Sequence, residues 1–132
     1  MVQYILNLLL AEDNLPDALL VREAIQAEQL EVYVHIVADG ELAIDFIARA
    51  ARVMLLDLNL PKVDGVEVLR RVRAIEKFKS IPVIIVTSSD SPGDRSAAAK
   101  LGASYFRKPV SYQQFIKIGG ILRSFLKENS LL

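Results

Sequence analysis

The feature that most constrains this chain is a regular alternation of short apolar segments with amphipathic helical patterns. Five apolar segments, rich in branched side chains and bounded by turn residues, predict β-strands. The predicted strands cover residues 4–11, 31–38, 53–58, 81–88 and 103–108. Because their apolar character is almost continuous rather than alternating, they are typical of strands covered on both faces.

A helical pattern follows each of these strands. The first predicted helix begins near Pro16, and the others cover residues 41–50, 64–78, 94–102 and 111–129. Strict strand–helix alternation predicts parallel strands joined by right-handed crossovers, with helices on both faces of the sheet. The fold class that we predict is therefore α/β, with a doubly wound five-stranded parallel sheet in a single domain over residues 1–132.

Composition limits the class of function. The 132 residues are 52% hydrophobic and 24% charged, which is typical of one soluble globular domain. Sixteen basic residues balance sixteen acidic ones, which argues against a broad nucleic-acid surface. The absence of Cys excludes disulfides, thiolate metal sites and cysteine nucleophiles. The N-terminal segment has no signal-peptide pattern and is too short to span a bilayer, so we expect a cytoplasmic protein without membrane association.

Chemically reactive side chains stand at the ends of four of the predicted strands. They are Glu12 and Asp13 after the first strand, Asp57 in the third, Thr87 in the fourth and Lys108 in the fifth. Because parallel strands all end at one edge of the sheet, we expect these side chains to converge in one cleft there. Asp57 is the most informative of them, because an acid seldom ends so apolar a run without a partner.

The chemistry of this set indicates phosphoryl transfer. Converging carboxylates repel one another, and Mg²⁺ relieves that repulsion because it prefers oxygen ligands and retains several waters. A cation, the Lys108 ammonium and the Thr87 hydroxyl around Asp57 would stabilise a phosphoryl group attached to that carboxylate. We therefore interpret Asp57 as a nucleophile that accepts a phosphoryl group, with Mg²⁺ as the cofactor.

Four segments carry a resemblance to a known family. They are LLLAEDN, LLDLNLPKVDG, VIIVTSS and ASYFRKPV. With them the chain resembles the receiver domain of two-component response regulators over nearly its whole length. The resemblance implies the flavodoxin-like (βα)5 receiver fold. The same segments are most similar to receivers that partner bacterial phytochrome-type histidine kinases, which implies a sensor kinase of that type as partner.

The resemblance also implies a role for each acidic residue. Asp57 would accept the phosphoryl group from a kinase histidine. Asp13 would bind the metal directly, and Glu12 would bind it through water. The backbone carbonyl of Asn59 would supply a further metal ligand.

The remaining site residues are assigned from the same resemblance. Thr87 would donate a hydrogen bond to a phosphoryl oxygen, Lys108 would pair with the phosphoryl charge, and Tyr105 matches the aromatic switch position. The peptide bond between Lys108 and Pro109 would be cis. Apart from accepting phosphate from a donor and slowly hydrolysing the acyl phosphate, the protein would not act as an enzyme.

Without an output domain, the signal would leave through a surface that binds a downstream protein. We expect phosphorylation to draw Thr87 inward, to reorient Tyr105, and to reshape the face formed by the fourth helix, fifth strand and fifth helix. Four apolar residues make the apolar stripe of the fifth helix and its surroundings wider than packing on the core requires, which suggests a homodimer on this face. They are Phe106, Ile116, Ile121 and Leu126.

Three other functions compete with the receiver interpretation. A haloacid-dehalogenase-like phosphatase also uses a strand-end Asp, but it requires a second Asp where this chain has Asn59. Nucleotide binding lacks support because the chain has neither a dinucleotide-binding Gly motif nor a P-loop. A receiver-fold module that binds partners without phosphorylation stays open.

Several residues also have purely structural interpretations. Asp13 followed by Asn14 is typical of a turn or a helix N-cap, and Thr87 with the serines after it is typical of a cap for the fourth helix. The arginines 70, 71 and 73 are interpreted as the solvent-exposed face of the third helix. Gly119 and Gly120 cost a helix about 1 kcal/mol each relative to Ala, and they indicate either close packing of a partner or a local irregularity.

Overall fold

The structure is a computed structural model that describes residues 5–49 and 51–132. Its five strands are β1 (Leu6–Ala11), β2 (Val32–Val37), β3 (Val53–Leu56), β4 (Val83–Thr87) and β5 (Ser104–Arg107). They form one parallel sheet in the order β2-β1-β3-β4-β5. The predicted fold class is confirmed, because each strand is joined to the next by a helical crossover that returns the chain to the same edge of the sheet.

The helices are α1 (Leu15–Ala27), α2 (Gly40–Ile47), α3 (Gly65–Ala74), α4 (Pro92–Lys100), α5 (Tyr112–Phe115) and α6 (Ile118–Glu128), with a 3₁₀ turn at Glu76–Phe78. Five of the α-helices begin at a side chain that accepts a hydrogen bond from the backbone N–H three residues later. These N-caps are Asn14, Asp39, Asp64, Ser91 and Ser111. Asn14 caps α1 and Ser91 caps α4. Asp13 and Thr87 are therefore not the N-caps of these helices.

Apolar side chains pack in one layer on each face of the sheet. Leu8 and Leu10 of β1 pack with residues of α1 and α6, whereas Leu9 and Ala11 pack with residues of α2 and α3. Every residue of β3 and β4 is buried. This arrangement explains the continuous apolar runs, since both faces of the central strands lie under helices. Among the described parts of the chain, no helix combines the length and the apolarity needed to cross a lipid bilayer.

The fifth predicted helix, over residues 111–129, is divided in the structure. Between α5 and α6 the chain makes tighter i→i−3 hydrogen bonds, from Lys117 N–H to Gln114 O and from Gly119 N–H to Ile116 O. The third predicted helix likewise ends earlier than expected, at Ala74, before the 3₁₀ turn. Periodicity alone does not resolve these breaks, because apolar spacing continues through them.

Gly119 allows α6 to approach α1 closely. A Cβ atom at this position would clash with the backbone carbonyl oxygen of Ala24 in α1. At Gly120, by contrast, an added Cβ would meet only the Glu28 carboxylate oxygen, at 3.3 Å. The close packing inferred for this glycine pair is therefore packing within the chain.

Arg73 is not part of the exposed face of α3, so the interpretation of this residue is wrong. Its guanidinium donates hydrogen bonds to the carbonyl oxygens of Leu101 (2.7 Å), Ile81 (2.7 Å) and Gly102 (3.3 Å). Two of these carbonyls follow the end of α4, and the third precedes β4. Because neither the helix nor the strand continues there, the backbone supplies no regular hydrogen-bond donor to them. Arg70 and Arg71 are exposed as predicted and pair with Glu67.

Candidate functional site

Backbone hydrogen bonds hold the site residues just beyond the ends of the strands. The parallel ladder extends one residue past β1, β3 and β5: Glu12 N–H donates to Val37 O, Asp57 N–H to Ala11 O, and Lys108 N–H to Thr87 O, at 2.7–3.0 Å. The strands thus fix the backbone of each reactive residue. Described peptide bonds are all trans, including that between Lys108 and Pro109, so the cis expectation is wrong. A trans X–Pro bond is the intrinsically preferred form.

Each carboxylate oxygen of Asp57 has a hydrogen-bond partner. Oδ2 lies 3.0 Å from Lys108 Nζ, and Oδ1 accepts a hydrogen bond of 3.1 Å from the Asn59 backbone N–H. The residue is only 5% exposed. Gly65 packs directly on its backbone, because an added Cβ there would clash with the carbonyl oxygen of Asp57. The expected partners of this buried acid are therefore present.

Lys108 reaches three carboxylates at once. Its Nζ lies 2.5 Å from Glu12 Oε1, 2.9 Å from Asp17 Oδ2 and 3.0 Å from Asp57 Oδ2. The contacts with Asp17 and Asp57 are hydrogen bonds, and the contact with Glu12 is an ion pair. The prediction that Lys108 and Asp57 converge is confirmed by this geometry. Asp17 was missed from the sequence, although its place in the first turn of α1, beside the predicted cleft, is the signal that could have found it.

Three carboxylates form a cluster that suits a hard cation. Glu12, Asp13 and Asp57 each offer an oxygen, and these oxygens lie within 4.8 Å of one another. Glu12 is buried whereas Asp13 is exposed, so the cluster opens to solvent on one side. An all-oxygen set of this kind, with room for water, fits Mg²⁺ or Mn²⁺. The Asn59 carbonyl stays a prediction, since only the N–H of that residue has a located partner in the site.

The carboxylates of Glu12 and Asp57 differ in their proton affinity. Burial raises the pKa of Glu12 to about 7, assisted by its hydrogen bond with Asp57 and opposed by Lys108. Burial acts in the same direction on Asp57, but hydrogen bonds from Glu12 and the Asn59 N–H, with the charge of Lys108, lower its pKa overall. For Lys108, burial disfavours the charged form, but hydrogen bonds to the three acids raise its pKa above the usual range. Asp57 is thus the stronger acid of the two.

Thr87 and Tyr105 contact the same loop. Thr87 is fully buried at the end of β4, and its Oγ1 accepts a 3.3 Å hydrogen bond from the Ser89 N–H. The Tyr105 hydroxyl donates to the Ser89 carbonyl at 2.7 Å. The Arg95 guanidinium lies 4.4 Å from the Tyr105 ring centroid, a cation–π contact. These contacts connect β4, β5 and α4.

Asp90 connects the loop after β4 to two arginines. Its carboxylate pairs with Arg95 at 2.7 Å and with Arg107 at 3.3 Å. Arg95 therefore joins the loop after β4 to Tyr105, and Arg107 joins the same loop to β5. Both ion pairs are exposed, so solvent screens them and they contribute little to stability.

The apolar surface suggested for a homodimer is smaller than predicted. Leu126 is 0% exposed and packs in the core beneath α6, so its assignment to the surface is wrong. Phe106 and Ile116 are half-buried, and Phe106 packs edge-on against Phe115. Ile121, at 43% exposure, is the member of the predicted set that faces solvent most. The orientation of α6 about its own axis decides the exposures of Ile121 and Leu126.

Residues 8–118 match the sequence pattern of the response regulator receiver domain. This chain belongs to that family. The receiver therefore takes part in two-component signalling as a phosphoacceptor, and a histidine kinase is its class of partner. The match also removes the support for a dehalogenase-like phosphatase, whose second acid the chain lacks at Asn59.

Similar proteins come from bacteria and archaea. FilR2 of Methanothrix harundinacea, a probable methanogenesis regulatory protein, is 36% identical over 80% of this chain and 74% of its own sequence. The response regulator Rcp1 of Synechocystis is 31% identical over 95% of this chain and 91% of its own. FilR2 is named for methanogenesis and Rcp1 only as a response regulator, so these relatives have the receiver family rather than one input signal in common.

Solved structures superimpose closely on the receiver. The phosphorylated cyanobacterial phytochrome response regulator RcpA gives a TM-score of 0.86 at 31% identity, covering 93% of this chain and 95% of its own. The Mn²⁺-bound form of Rcp1 gives 0.84 at 31% identity, covering 90% and 92%. The flavodoxin-like receiver fold expected from the sequence is thus confirmed.

Proposed function

We propose that this receiver accepts a phosphoryl group on Asp57 from the phosphohistidine of a sensor histidine kinase. An Asp57 carboxylate oxygen would bond to phosphorus as the P–N bond to the kinase histidine breaks, and the imidazole would leave with the electron pair of that bond. The observation that carries this proposal is the contact between Lys108 Nζ and Asp57 Oδ2 inside the acidic cluster. Asp57 needs no base to act as the nucleophile, because its lowered pKa keeps the carboxylate ionised.

Each neighbour of Asp57 has a role in this proposal. Lys108 offsets the charge of the incoming phosphoryl group, and the Thr87 hydroxyl donates a hydrogen bond to one of its oxygens. Glu12, Asp13 and the Asn59 carbonyl hold Mg²⁺ together with Asp57. When bound, Mg²⁺ supplies positive charge that offsets the carboxylates and the phosphoryl oxygens. The all-oxygen donor set of this cluster and the Mn²⁺-bound structure of Rcp1 support a divalent cation here.

The signal would leave through the face formed by α4, β5 and α6. A phosphoryl group on Asp57 would draw the Thr87 hydroxyl toward it and away from the Ser89 N–H. Tyr105 would then reorient, because its hydroxyl hydrogen-bonds to the same residue. A downstream protein, or a second copy of this chain that covers Ile121, would recognise the changed face.

The kinase that we propose first is of the phytochrome type. RcpA, whose structure superimposes closely on this one, is a cyanobacterial phytochrome response regulator. Profiling phosphotransfer from a panel of purified histidine kinases would test this assignment. Faster transfer from a kinase of another class would contradict it.

Phosphoryl uptake is measured most directly with acetyl phosphate. Wild-type protein with Mg²⁺ should gain the mass of one phosphoryl group, whereas Asp57→Asn, or wild type with EDTA, should not. No uptake by wild type would favour a module that acts without phosphorylation. Continuous turnover of a phosphomonoester would instead indicate a phosphatase, since we expect only slow hydrolysis of the protein's own acyl phosphate.

The homodimer is tested separately by sedimentation. Beryllofluoride, a mimic of the phosphoryl group, should shift the wild-type protein toward a dimer. Ile121→Ser should reduce that shift, because it removes the most exposed apolar side chain of the predicted set. Identical monomeric sedimentation with and without beryllofluoride would reject the dimer but not phosphorylation.

A further inference from the structure

Asp17 is an acidic partner of Lys108 that stands outside the metal cluster. Its Oδ2 lies 2.9 Å from Lys108 Nζ, although the two residues are 91 positions apart in the sequence. Among residues 5–49 and 51–132, the cluster whose oxygens converge consists of Glu12, Asp13 and Asp57. Of the three carboxylates that contact Lys108, Asp17 is therefore the one that neither a metal nor a phosphoryl group would take up.

Asp17 is itself held in place by the start of α1. Its backbone N–H donates to Asn14 Oδ1 at 3.1 Å, and the Asn14 N–H donates to Glu12 Oε2 at 3.2 Å. Its side chain is half-buried, on the wall of a surface groove between α1 and the segment after β5. The carboxylate is therefore positioned by a helix end rather than by a mobile loop.

The other two partners of Lys108 change when the receiver is loaded. Glu12 would turn to the metal or its water, and one oxygen of Asp57 would become part of an acyl phosphate. The lysine stem has four rotatable carbons and would then be free to swing into solvent. If Asp17 keeps its hydrogen bond with one N–H of the Lys108 ammonium, the other two N–H groups stay directed at the cleft.

We propose that Asp17 is a positioning residue that holds the Lys108 ammonium over the cleft while a phosphoryl group is bound on Asp57. The inference rests on the proposed function of Asp57 and adds to it a residue of α1. It predicts that Asp17 strengthens phosphoryl binding even though it carries the same sign of charge as the phosphoryl group. A purely electrostatic role would have the opposite effect.

The first measurement is the affinity for beryllofluoride with Mg²⁺, by calorimetry. Asp17→Asn keeps an acceptor but loses the charge, and should weaken binding about threefold; Asp17→Ala should weaken it about tenfold. Glu23→Gln is the matched control, because Glu23 lies on the same helix and contacts Tyr112 rather than Lys108. Unchanged or tighter binding by both Asp17 variants would overturn the proposal.

The second measurement needs no metal. In urea with EDTA, Asp17→Asn should raise the unfolding equilibrium constant several-fold in the wild-type background, but should not raise it in a Lys108→Ala background. An equal increase in both backgrounds would mean that Asp17 acts only on α1, which would overturn the positioning role. Failure of the wild-type protein to take up phosphate would reject the proposed function of Asp57 instead. The comparison of the two backgrounds would still decide whether Asp17 holds Lys108.

Discussion

Thr87 and Tyr105 are connected through a single residue. The Ser89 N–H donates to the Thr87 hydroxyl oxygen, and the Ser89 carbonyl accepts from the Tyr105 hydroxyl. Thr87 is buried at the end of β4, whereas Tyr105 lies half-buried beneath Arg95 of α4. Both hydrogen bonds go to the backbone of Ser89, so we expect a displacement of Thr87 to reach Tyr105 through this one residue.

Removing the Tyr105 hydroxyl should uncouple α4 from the site. Tyr105→Phe loses one hydrogen bond to a carbonyl, so the free energy of unfolding should fall by about 1 kcal/mol. Beryllofluoride should still shift the amide NMR signals near Asp57, but the shifts in α4 should become smaller. Tyr33→Phe is the control, because Tyr33 is 59% exposed on edge strand β2. Full α4 shifts in Tyr105→Phe would contradict this route.

Magnesium affinity should depend on pH through Glu12. The pKa of Glu12 is about 7, and a metal requires the ionised carboxylate, so the affinity should rise from about pH 6 to about pH 8 and then level off. Calorimetry in buffers of different ionisation enthalpy would count the protons released. Glu12→Gln should remove most of this pH dependence, and an unchanged pH profile in that variant would exclude Glu12 as its source.

The same group should affect the stability of the metal-free protein. The folded-state pKa of Glu12 is raised from 4.5 to about 7, so the folded state binds more protons than the unfolded state between these values. The stabilising contribution is complete below pH 4.5 and is lost as the pH rises through about 7. Urea unfolding in EDTA should therefore show a decline across this window that Glu12→Gln abolishes. Addition of Mg²⁺ should reverse the decline.

The two adjacent glycines of α6 should respond oppositely to alanine. Gly119→Ala forces a Cβ against the Ala24 carbonyl, so we expect a loss of about 1–3 kcal/mol in the free energy of unfolding. Gly120→Ala meets only the flexible end of Glu28, so its gain in helix propensity of up to about 1 kcal/mol should dominate. Thermal denaturation of the pair would compare them, and equal effects would contradict the close approach of α1 and α6.

Arg73 should matter for stability far more than its neighbours in α3. Arg73→Ala leaves the carbonyls of Leu101 and Ile81 without this donor, at a cost of about 1–3 kcal/mol. Arg70→Ala breaks only an exposed ion pair with Glu67, so the free energy of unfolding should change far less than in Arg73→Ala. Urea denaturation measures both variants, and similar losses would show that the carbonyl contacts of Arg73 are not the cause.

The sequence by itself determined the sheet and the composition of the cleft. Continuous apolar runs alternate with helical patterns, which predicts parallel strands, and the carboxyl ends of parallel strands all lie at one edge of the sheet. Glu12, Asp57 and Lys108 could be brought together on that basis alone, because each directly follows a strand. The backbone hydrogen bonds of the parallel sheet fix the positions of these residues, and the apolar pattern of each strand is enough to predict where that strand ends.

Only the tertiary structure decided how the helices are turned about their axes. That rotation put Asp17 against Lys108, Arg73 against the carbonyls at the end of α4, and Leu126 in the core. An apolar stripe on a helix is broad enough to allow several rotations, so periodicity does not decide which border residue is buried or which partner it meets. Those choices come from side chains distant in the sequence, whose contacts exist only once the helices pack on the sheet.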